Sequence, residues 1–290
     1  MRQGGRGKGD IVERGTSVSG LACARAPGLT HTREALAADL RALGVRLGQT
    51  LLVHASLRAV GWVDGGSATV VAALHESVGE AGTIVMPAIT PENSTTSRAH
   101  RERTAGLTPR QLAEYRSRMP PFDPLLTPAT EAGMIAETLR TTAGAVRSDH
   151  PQSSFAAIGE RAATLMAGHR LTSHFGEESP LAGLYNLPDA AILLLGVEYD
   201  ACSALHLAEY RYTARPPTQL YECVVSVNGS RRWARYRDVV LDDEEFRLIG
   251  YQAGKRIEFS FGYVGNAECR LVPLRPVVDF ATGWMARHRS

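Results

Sequence analysis

The chain has 290 residues, of which 44% are hydrophobic and 21% charged, and its formal net charge at pH 7 is +2. These values are typical of a globular protein with a substantial core, and no apolar run approaches the roughly 20 residues that a membrane span needs. Residues 1–28 carry five basic and two acidic side chains, which leaves one net negative charge on the rest of the chain and gives no indication of a nucleic-acid or membrane partner.

The glycine- and arginine-rich residues 1–28 predict a disordered tail, and residues 29–290 are expected to form a single domain, as a monomer or homodimer. Four cysteines are far apart in the sequence and form no Cys-X-X-Cys pair: Cys23, Cys202, Cys223 and Cys269. This spacing argues against a disulfide framework or a zinc site. Because the N-terminus also does not resemble a signal peptide, a cytoplasmic location is expected.

The first half of the chain alternates between apolar strands and helices. Leu36, Leu40 and Leu43 share one face of a helix that Thr32 begins and Gly44 closes. The elements predicted after it are strand 50–54, helix 69–78, strand 83–87, helix 133–141, strand 154–159, helix 161–167 and strand 192–197. Strand, helix and strand at this spacing form a βαβ unit, which predicts a mainly parallel central sheet.

Residues 216–275 are expected to be rich in β-structure. Asn228-Gly229 is a strong hairpin turn between strands 221–228 and 231–237. A helix over 241–255, a second hairpin over 261–273 and a final helix over 277–287 complete the prediction. Residues 90–130 are the least regular part of the chain, and we interpret them as an insert on the substrate side, because long inserts after parallel strands commonly form active-site walls.

The apolar run 192–197 is followed nine residues later by His206 and Glu209, which lie three residues apart and so share a helix face. Ser203 is a candidate N-cap for that helix. A histidine oriented by a carboxylate near the C-terminal end of a strand is a common general base. The same spacing also occurs in structural surface pairs, so it does not establish the role alone.

Other polar groups follow the predicted strands, where ligands of parallel sheets bind. Ser56 with the following backbone N–H groups could form an anion-binding concavity, and Arg58 and Arg147 would supply positive charge. A helix-capping role for Ser56 and a turn role for His150 are comparably plausible. The sequence contains neither a P-loop nor a dinucleotide fingerprint nor a GxSxG motif, and no metal site is expected.

Three acidic residues in predicted loops, Glu92, Asp123 and Asp238, would attract a polycation if they faced the same cleft as His206. From spacing alone, a solvated loop carboxylate is the simpler interpretation of each.

Six blocks of the sequence, in order and at similar spacing, resemble the aminoglycoside 3-N-acetyltransferase family over roughly residues 30–285. The blocks are 53–58 with Gly61 and Gly65-Gly66, 82–83 with 86–87, 122–124, 147–151 with 154–157, 179–181, and 193–197 leading to 205–209. The resemblance implies a three-layer α/β sandwich that transfers an acetyl group from acetyl-coenzyme A to the 3-amino group of a 2-deoxystreptamine aminoglycoside, without a metal, and so confers antibiotic resistance.

The resemblance also implies roles for individual residues. His206 would be the general base and Glu209 its supporting carboxylate, while Glu92, Asp123 and Asp238 would bind the antibiotic. The residues implied to hold coenzyme A are Ser56, Leu57, Arg58, Val60, Arg147, His150, Ser153, Ser154 and Phe155.

Two departures from the family pattern bear on mechanism. Ala55 stands where the family usually has serine, and Cys202-Ser203 stands where it usually has Asn-Thr. Direct attack of the amine on the thioester in a ternary complex is the leading hypothesis. An acetylated Cys202 activated by His206, a non-catalytic protein that binds coenzyme A or aminoglycosides, and acetylation of another amine in antibiotic biosynthesis are the alternatives.

Overall fold

A computed structural model describes residues 30–129 and 132–289. The tail predicted over residues 1–28 lies outside the described residues. The described strands are β1 (Thr50–Ala55), β2 (Thr83–Pro87), β3 (Val146–Arg147), β4 (Phe155–Gly159), β5 (Ala191–Leu195), β6 (Thr218–Val227), β7 (Ser230–Val239), β8 (Ser260–Val264) and β9 (Ala267–Pro273).

The described α-helices are α1 (Arg33–Leu43), α2 (Leu57–Val60), α3 (Gly66–Val78), α4 (Arg98–Thr104), α5 (Pro109–Arg118), α6 (Gly133–Thr141), α7 (Ala162–Met166), α8 (Pro180–Asn186), α9 (His206–Glu209), α10 (Phe246–Ala253) and α11 (Leu274–His288). Short 3₁₀ turns cover Pro91–Asn93, Tyr199–Ala201 and Ser203–Leu205.

Seven strands form one sheet in the order β3-β4-β2-β1-β5-β9-β8. β1 pairs in parallel with β2 and β5, with Val53 opposite Leu193. The four outer pairings are antiparallel. The predicted parallel pairing is therefore confirmed at the centre of the sheet, whereas the outer pairings are antiparallel. The connections within β3–β4 and β8–β9 are too short for a crossover helix, while β2–β4 and β5–β9 pair strands that are far apart in the sequence.

The sheet is covered by helices on both faces, which confirms the three-layer α/β sandwich. Successive residues of β1 point to opposite sides, so Leu52 packs with α7, α8, α10 and α11, and Leu51 and Val53 pack with α1, α3 and α6. The buried strands at the centre are apolar throughout for this reason, and only their ends offer polar side chains.

The predicted hairpin at Asn228-Gly229 is present as β6–β7, with φ of 50° and 74° at the two turn residues. It forms a separate two-stranded sheet. The insert 90–130 is more regular than predicted, since it contains α4 and α5. It attaches to the hairpin through the side chain of Asn93, whose Nδ2 donates to Val224 O (2.6 Å) and whose Oδ1 accepts from Val224 N (2.8 Å). Insert and hairpin thus form one structural wall.

Two predicted helices are shorter in the structure. The helix expected over 241–255 begins only at Phe246. In the segment before it, the backbone N–H of Asp242 donates to Glu209 Oε1 (2.8 Å). The helix expected after Ser203 is the single turn α9, with Leu205 at its N-cap. Ser203 is therefore not the cap that the sequence predicted.

Candidate active site

A cavity of about 540 Å³ opens at the C-terminal ends of the parallel strands. His54 and Ala55 of β1 and Met86 and Pro87 of β2 lie on its floor. Its size is typical of a site for a small ligand, and its place at the strand ends is where parallel sheets bind ligands.

The outer walls of the cavity come from the insert and the hairpin. Ser94, Ser97 and Arg101 line it from the insert, and Gln219 and Tyr221 line it from β6. Residues of the insert thus form part of the cavity wall, as the sequence suggested. The insert contains two helices, however, whereas an irregular segment was predicted.

His206 and Glu209 form the contact that their spacing predicted. The ring Nδ1 of His206 donates to Glu209 Oε2 at 2.7 Å. The His206 side chain is 15% exposed and lines the cavity, whereas that of Glu209 is 1% exposed. Because the carboxylate occupies Nδ1, Nε2 is the nitrogen that can exchange a proton with a ligand.

Two aromatic rings pack against the imidazole of His206. Phe175 stacks on it with 4.7 Å between centroids and an angle of 8°, and Phe246 meets it edge-on at 4.7 Å. The position of the ring is therefore set by packing as well as by its hydrogen bond.

Glu209 is itself anchored from two other elements. Its Oε1 accepts from Arg289 Nη1 and from the backbone N–H of Asp242, both at 2.8 Å. Arg289 in turn donates to Glu245 Oε2 at 2.6 Å. A buried carboxylate with three donors is stably placed, and its charge is compensated.

A second histidine, His54, lies on the floor of the same cavity. Its Nε2 is 3.3 Å from the hydroxyl of Ser203, the side chain that the sequence had suggested as a helix cap. His54 is buried, and burial together with the nearby His206 lowers the pKa of His54 to about 3. His54 is consequently neutral at any physiological pH, since the charged form would be stripped of water.

The glycine that ends the apolar run allows the loop after β5 to reach the cavity. Gly196 has φ of 67°, and a Cβ at this position would collide with the Cβ of Ala59. Only glycine combines this backbone with such a close approach to α2.

The predicted cofactor residues fall into two groups. Ser56 caps α2 by accepting from Ala59 N at 3.3 Å, so its capping interpretation is confirmed. Leu57 is half-buried, and Arg58 is exposed. Ser153 lines the cavity. These four residues lie at or near the strand ends, and of them Ser153 is buried.

Arg147 does not lie free to meet a phosphate, as the sequence had suggested. Its guanidinium donates to the backbone oxygens of Ala88 (2.6 Å) and Thr127 and to Ser154 Oγ (3.0 Å). Ser154 Oγ also donates to Ala88 O at 2.8 Å. Burial lowers the pKa of Arg147 to about 10. Arg147 thus fastens both ends of the insert to the sheet, and Ser154 fastens its start.

The other predicted cofactor side chains are in the interior. Val60 and Phe155 are fully buried in the two hydrophobic cores. His150 is also fully buried; its Nε2 donates to Leu171 O (3.2 Å), and its Nδ1 accepts from the backbone N–H of Ser153 (3.1 Å). The turn interpretation of His150 is therefore the one that the structure supports.

The carboxylate of Asp238 is buried and turned away from solvent. It accepts from His174 Nδ1 (2.6 Å), His174 N (2.7 Å) and the Tyr210 hydroxyl (2.9 Å). Burial lowers the pKa of His174 even though Asp238 opposes this. These donors fasten the hairpin strand β7 to His174 and Tyr210, and Asp238 is not among the residues that line the cavity.

Glu92 and Asp123 have contacts within the insert, and neither is among the residues that line the cavity. Glu92 lies 3.8 Å from Arg103 within the insert. Asp123 Oδ1 accepts from the backbone N–H groups of Leu125 (2.8 Å) and Leu126 (3.0 Å). These two bonds of Asp123 form the local turn that aspartate side chains commonly make with the backbone that follows them. The carboxylates that line the cavity are instead Asp200 and Asp243.

The sequence contained partial signals for the residues that it missed. His54 ends an otherwise apolar strand, which places a polar group at the ligand-binding edge of the sheet. Asp200 lies in the loop after β5. Asp243 was interpreted as part of the first turn of a helix, but that helix begins at Phe246. His174 and Arg101 lie in segments with no periodic pattern.

A second cavity, of about 770 Å³, lies at the N-terminal ends of the parallel strands, beside Gln49, Ala190 and Pro273. It is larger, but the ionisable residues on its walls are Arg46, Asp189 and Glu258, with no histidine among the described lining residues. We assign the site to the first cavity because it holds the imidazole–carboxylate pair.

Within residues 30–129 and 132–289, the structure contains no cluster of three or more side chains suited to a metal ion. No described helix combines the length and apolar character required to cross a membrane. Cys202, Cys223 and Cys269 are free and buried, and Cys23 lies outside the described residues.

A family model described as aminoglycoside 3-N-acetyltransferase matches residues 52–286. An aminoglycoside N(3)-acetyltransferase III from Serratia marcescens is 42% identical over 275 residues, covering 89% of this chain and 98% of that protein. The crystal structure of YokD from Bacillus subtilis matches with a TM-score of 0.84 and 34% identity, covering 90% and 95% of the two chains.

Two further solved structures include ligands in their descriptions. AAC-IIIb, a binary complex with CoASH, matches with a TM-score of 0.77 and 30% identity over 89% of this chain and 97% of that one. AAC-VIa, bound to sisomicin, matches with a TM-score of 0.79 and 32% identity over 90% and 100%.

Proposed function

The chain belongs to the aminoglycoside 3-N-acetyltransferase family, and we propose that it acetylates the 3-amino group of a 2-deoxystreptamine aminoglycoside by direct attack on acetyl-coenzyme A, with His206 as the base. The observation that carries the proposal is the 2.7 Å bond from His206 Nδ1 to the buried carboxylate of Glu209 at the wall of the cavity.

The geometry suits removal of a proton from an attacking amine. Glu209 fixes the ring and stabilises its charged form, while His206 Nε2 accepts the proton as nitrogen bonds to the thioester carbon. A positioned base of this kind is typically worth ~10²–10⁴ in rate. The thioester is already reactive, so this chemistry needs neither a metal nor a covalent intermediate.

Asp200 and Asp243 would recognise the remaining ammonium groups of the antibiotic. Both are exposed and line the cavity that His206 lines. Asp200 has an ion pair with Arg247 at 3.2 Å, which a cationic ligand would have to compete with. Carboxylates placed on one side of the cavity would select which amine meets the carbonyl.

The acyl donor would enter beside Ser56, Leu57, Arg58 and Ser153. Arg58 is exposed, so it can offer its charge to a phosphate of coenzyme A without being withdrawn from the fold. The related AAC-IIIb forms a binary complex with CoASH, which supports coenzyme A as the donor here.

The buried thiol of Cys202 argues against a route through an acetylated cysteine. Cys202 borders the cavity but is 0% exposed, and burial raises its pKa to about 12. The thiolate, which is the nucleophilic form, is therefore nearly absent at neutral pH. Direct transfer needs no such group.

The test is a thiol-release assay with acetyl-coenzyme A and a panel of aminoglycosides, followed by mass and NMR analysis of the product. We expect acetylation at the 3-amino group, and a fall of roughly a hundredfold or more in kcat for His206→Ala with coenzyme A binding retained. Near-normal turnover of this variant would overturn the assignment of the base. If the wild-type protein releases no coenzyme A thiol with any antibiotic of the panel, a non-catalytic binding protein is favoured.

A further inference from the structure

His54 and Ser203 form a polar pair that the acetyl-transfer proposal does not yet use. They come from two different parts of the fold: His54 from the end of β1 and Ser203 from the 3₁₀ turn that leads into α9. Both are buried, at 6% and 5% exposure, yet both line the cavity beside His206. Their side chains are 3.3 Å apart.

Two imidazoles thus line one cavity in different environments. His206 has a carboxylate partner, whereas His54 has the neutral hydroxyl of Ser203 as its polar partner among the described residues. Burial and the neighbouring His206 lower the pKa of His54 to about 3. Paired groups whose environments separate their ionisation commonly divide acid–base and hydrogen-bonding work between them.

We propose that Ser203 donates a hydrogen bond to the thioester oxygen as it becomes an oxyanion, and that His54 Nε2–H orients Ser203 by donating to its Oγ. This inference rests on the proposed acetyl transfer and adds the stabiliser of its transition state. Ser203 would be a catalytic residue that touches the reacting oxygen, and His54 a positioning residue that acts through it.

The step balances as follows. The lone pair of the substrate amine forms the new C–N bond, and the carbonyl π pair moves onto oxygen, which accepts the hydrogen bond from Ser203. His206 takes the proton from nitrogen. When the oxygen pair returns, the C–S bond breaks, and the coenzyme A thiolate leaves and receives that proton from His206.

The opposite direction of proton donation is disfavoured. In that arrangement His54 would take a proton from Ser203 and make the serine a nucleophile. It would require a cationic imidazole in a buried position, close to a second imidazole, with no carboxylate bonded to it among the described residues. A neutral His54 can still hold the hydroxyl in place, and fixed dipoles aimed at a developing charge stabilise it efficiently.

Four variants test this assignment: Ser203→Ala, Ser203→Thr, His54→Leu, and the double variant Ser203→Ala/His54→Leu. We expect Ser203→Ala to lower kcat by about 10²–10³, the usual loss for one oxyanion donor, with the KM for acetyl-coenzyme A changed less than threefold or so. Ser203→Thr retains the hydroxyl and should recover most of kcat. The pH at which kcat/KM rises should stay where it is in the wild type, because His206 is untouched.

Because His54 acts through Ser203, its removal should cost nothing further once the hydroxyl is gone. The double variant should therefore match Ser203→Ala within about twofold. Losses that multiply would overturn the relay, and a Ser203→Ala enzyme with wild-type kcat would overturn the oxyanion role. Detection of acetyl-Ser203 by mass spectrometry would also refute it. A His206→Ala enzyme with normal turnover would instead refute the underlying acetyl-transfer mechanism, so the two failures are distinguishable.

Discussion

Arg289 donates from Nη1 to Glu209 Oε1 at 2.8 Å, on the carboxylate oxygen opposite the one that holds His206. The arginine follows the last helix, whereas the histidine lies just after β5. The orientation of the proposed base therefore depends on a contact between segments about 80 residues apart.

Replacing Arg289 should weaken the enzyme without removing any proposed catalytic group. In Arg289→Ala, Glu209 loses its cationic partner and the His206 ring is held less firmly. We expect kcat to fall about tenfold and the protein to lose about 1–3 kcal/mol of unfolding free energy, the usual range for a buried group that loses a hydrogen bond. Steady-state kinetics and urea denaturation measure both. The exposed Arg287 provides the matched control, and an Arg287→Ala protein that is equally impaired would contradict this explanation.

The antibiotic should be recognised by the cavity carboxylates and not by those that the sequence suggested. Asp200→Asn and Asp243→Asn should each raise the KM for the aminoglycoside about fivefold, corresponding to about 1 kcal/mol for a half-exposed ion pair. The increase should shrink at high salt. Glu92→Gln and Asp123→Asn serve as controls. If these two raise KM while the cavity variants do not, the placement of the antibiotic is wrong.

Two arginines that the sequence treated alike should behave differently. Arg58→Ala should raise the KM for acetyl-coenzyme A with little effect on stability, because its side chain is exposed. Arg147→Met should lower the melting temperature sharply, since each buried carbonyl left unpaired costs about 1–3 kcal/mol. Calorimetry and a KM measurement for the cofactor separate the two effects. An Arg147→Met protein of normal stability would contradict the structural role.

Cys202 should be dispensable. Cys202→Ala removes a small buried side chain, so we expect kcat within a few fold of the wild type and intersecting double-reciprocal plots, as for a ternary complex. The native enzyme should also react slowly with iodoacetamide at neutral pH, because burial raises the Cys202 pKa to about 12. Rapid inactivation that parallels modification of this thiol would support a mechanism with an acetylated Cys202.

Stability should fall on mild acidification. Burial lowers the pKa of His169 to about 4 and that of His54 to about 3, and it also lowers those of His150 and His174. Between the unfolded value near 6.5 and these folded values, the unfolded chain binds more protons, so stability is lost as pH falls from about 6.5 to 4.

Denaturation in urea at several pH values measures this dependence. Each buried histidine contributes a slope of up to about 1.4 kcal/mol per pH unit. His54→Gln should reduce the slope by up to that amount. A wild-type unfolding free energy that stays constant from pH 7 to pH 4.5 would show that these imidazoles are not held neutral.

The parts of the fold that the sequence predicted well are those set by local pattern. Apolar runs located the central strands, Thr32 and Gly44 located α1, and Asn228-Gly229 located the β6–β7 hairpin. The direction of the outer strands was not predictable in this way, because pairing partners depend on chain reversals whose lengths the apolar pattern does not encode.

The candidate site was predicted in part for a similar reason. His206 and Glu209 are three residues apart, so helical geometry alone brings them together. Whether a carboxylate such as Asp238 faces a ligand or the hydroxyl of Tyr210 is decided by contacts between distant segments. Arg147 illustrates the same point, since a charged residue in a polar segment gave no sign that backbone oxygens would surround it.

The wall made by the insert and the β6–β7 hairpin has an evolutionary consequence. Its two halves are fastened to each other, through Asn93 and Val224, whereas the proposed base is supported by β5, α9 and Arg289. Substitutions along the wall can therefore reshape that side of the cavity while the contacts of Glu209 with His206 and Arg289 are retained. The set of ligands that fit the cavity can thus change through mutations that leave the hydrophobic layers untouched.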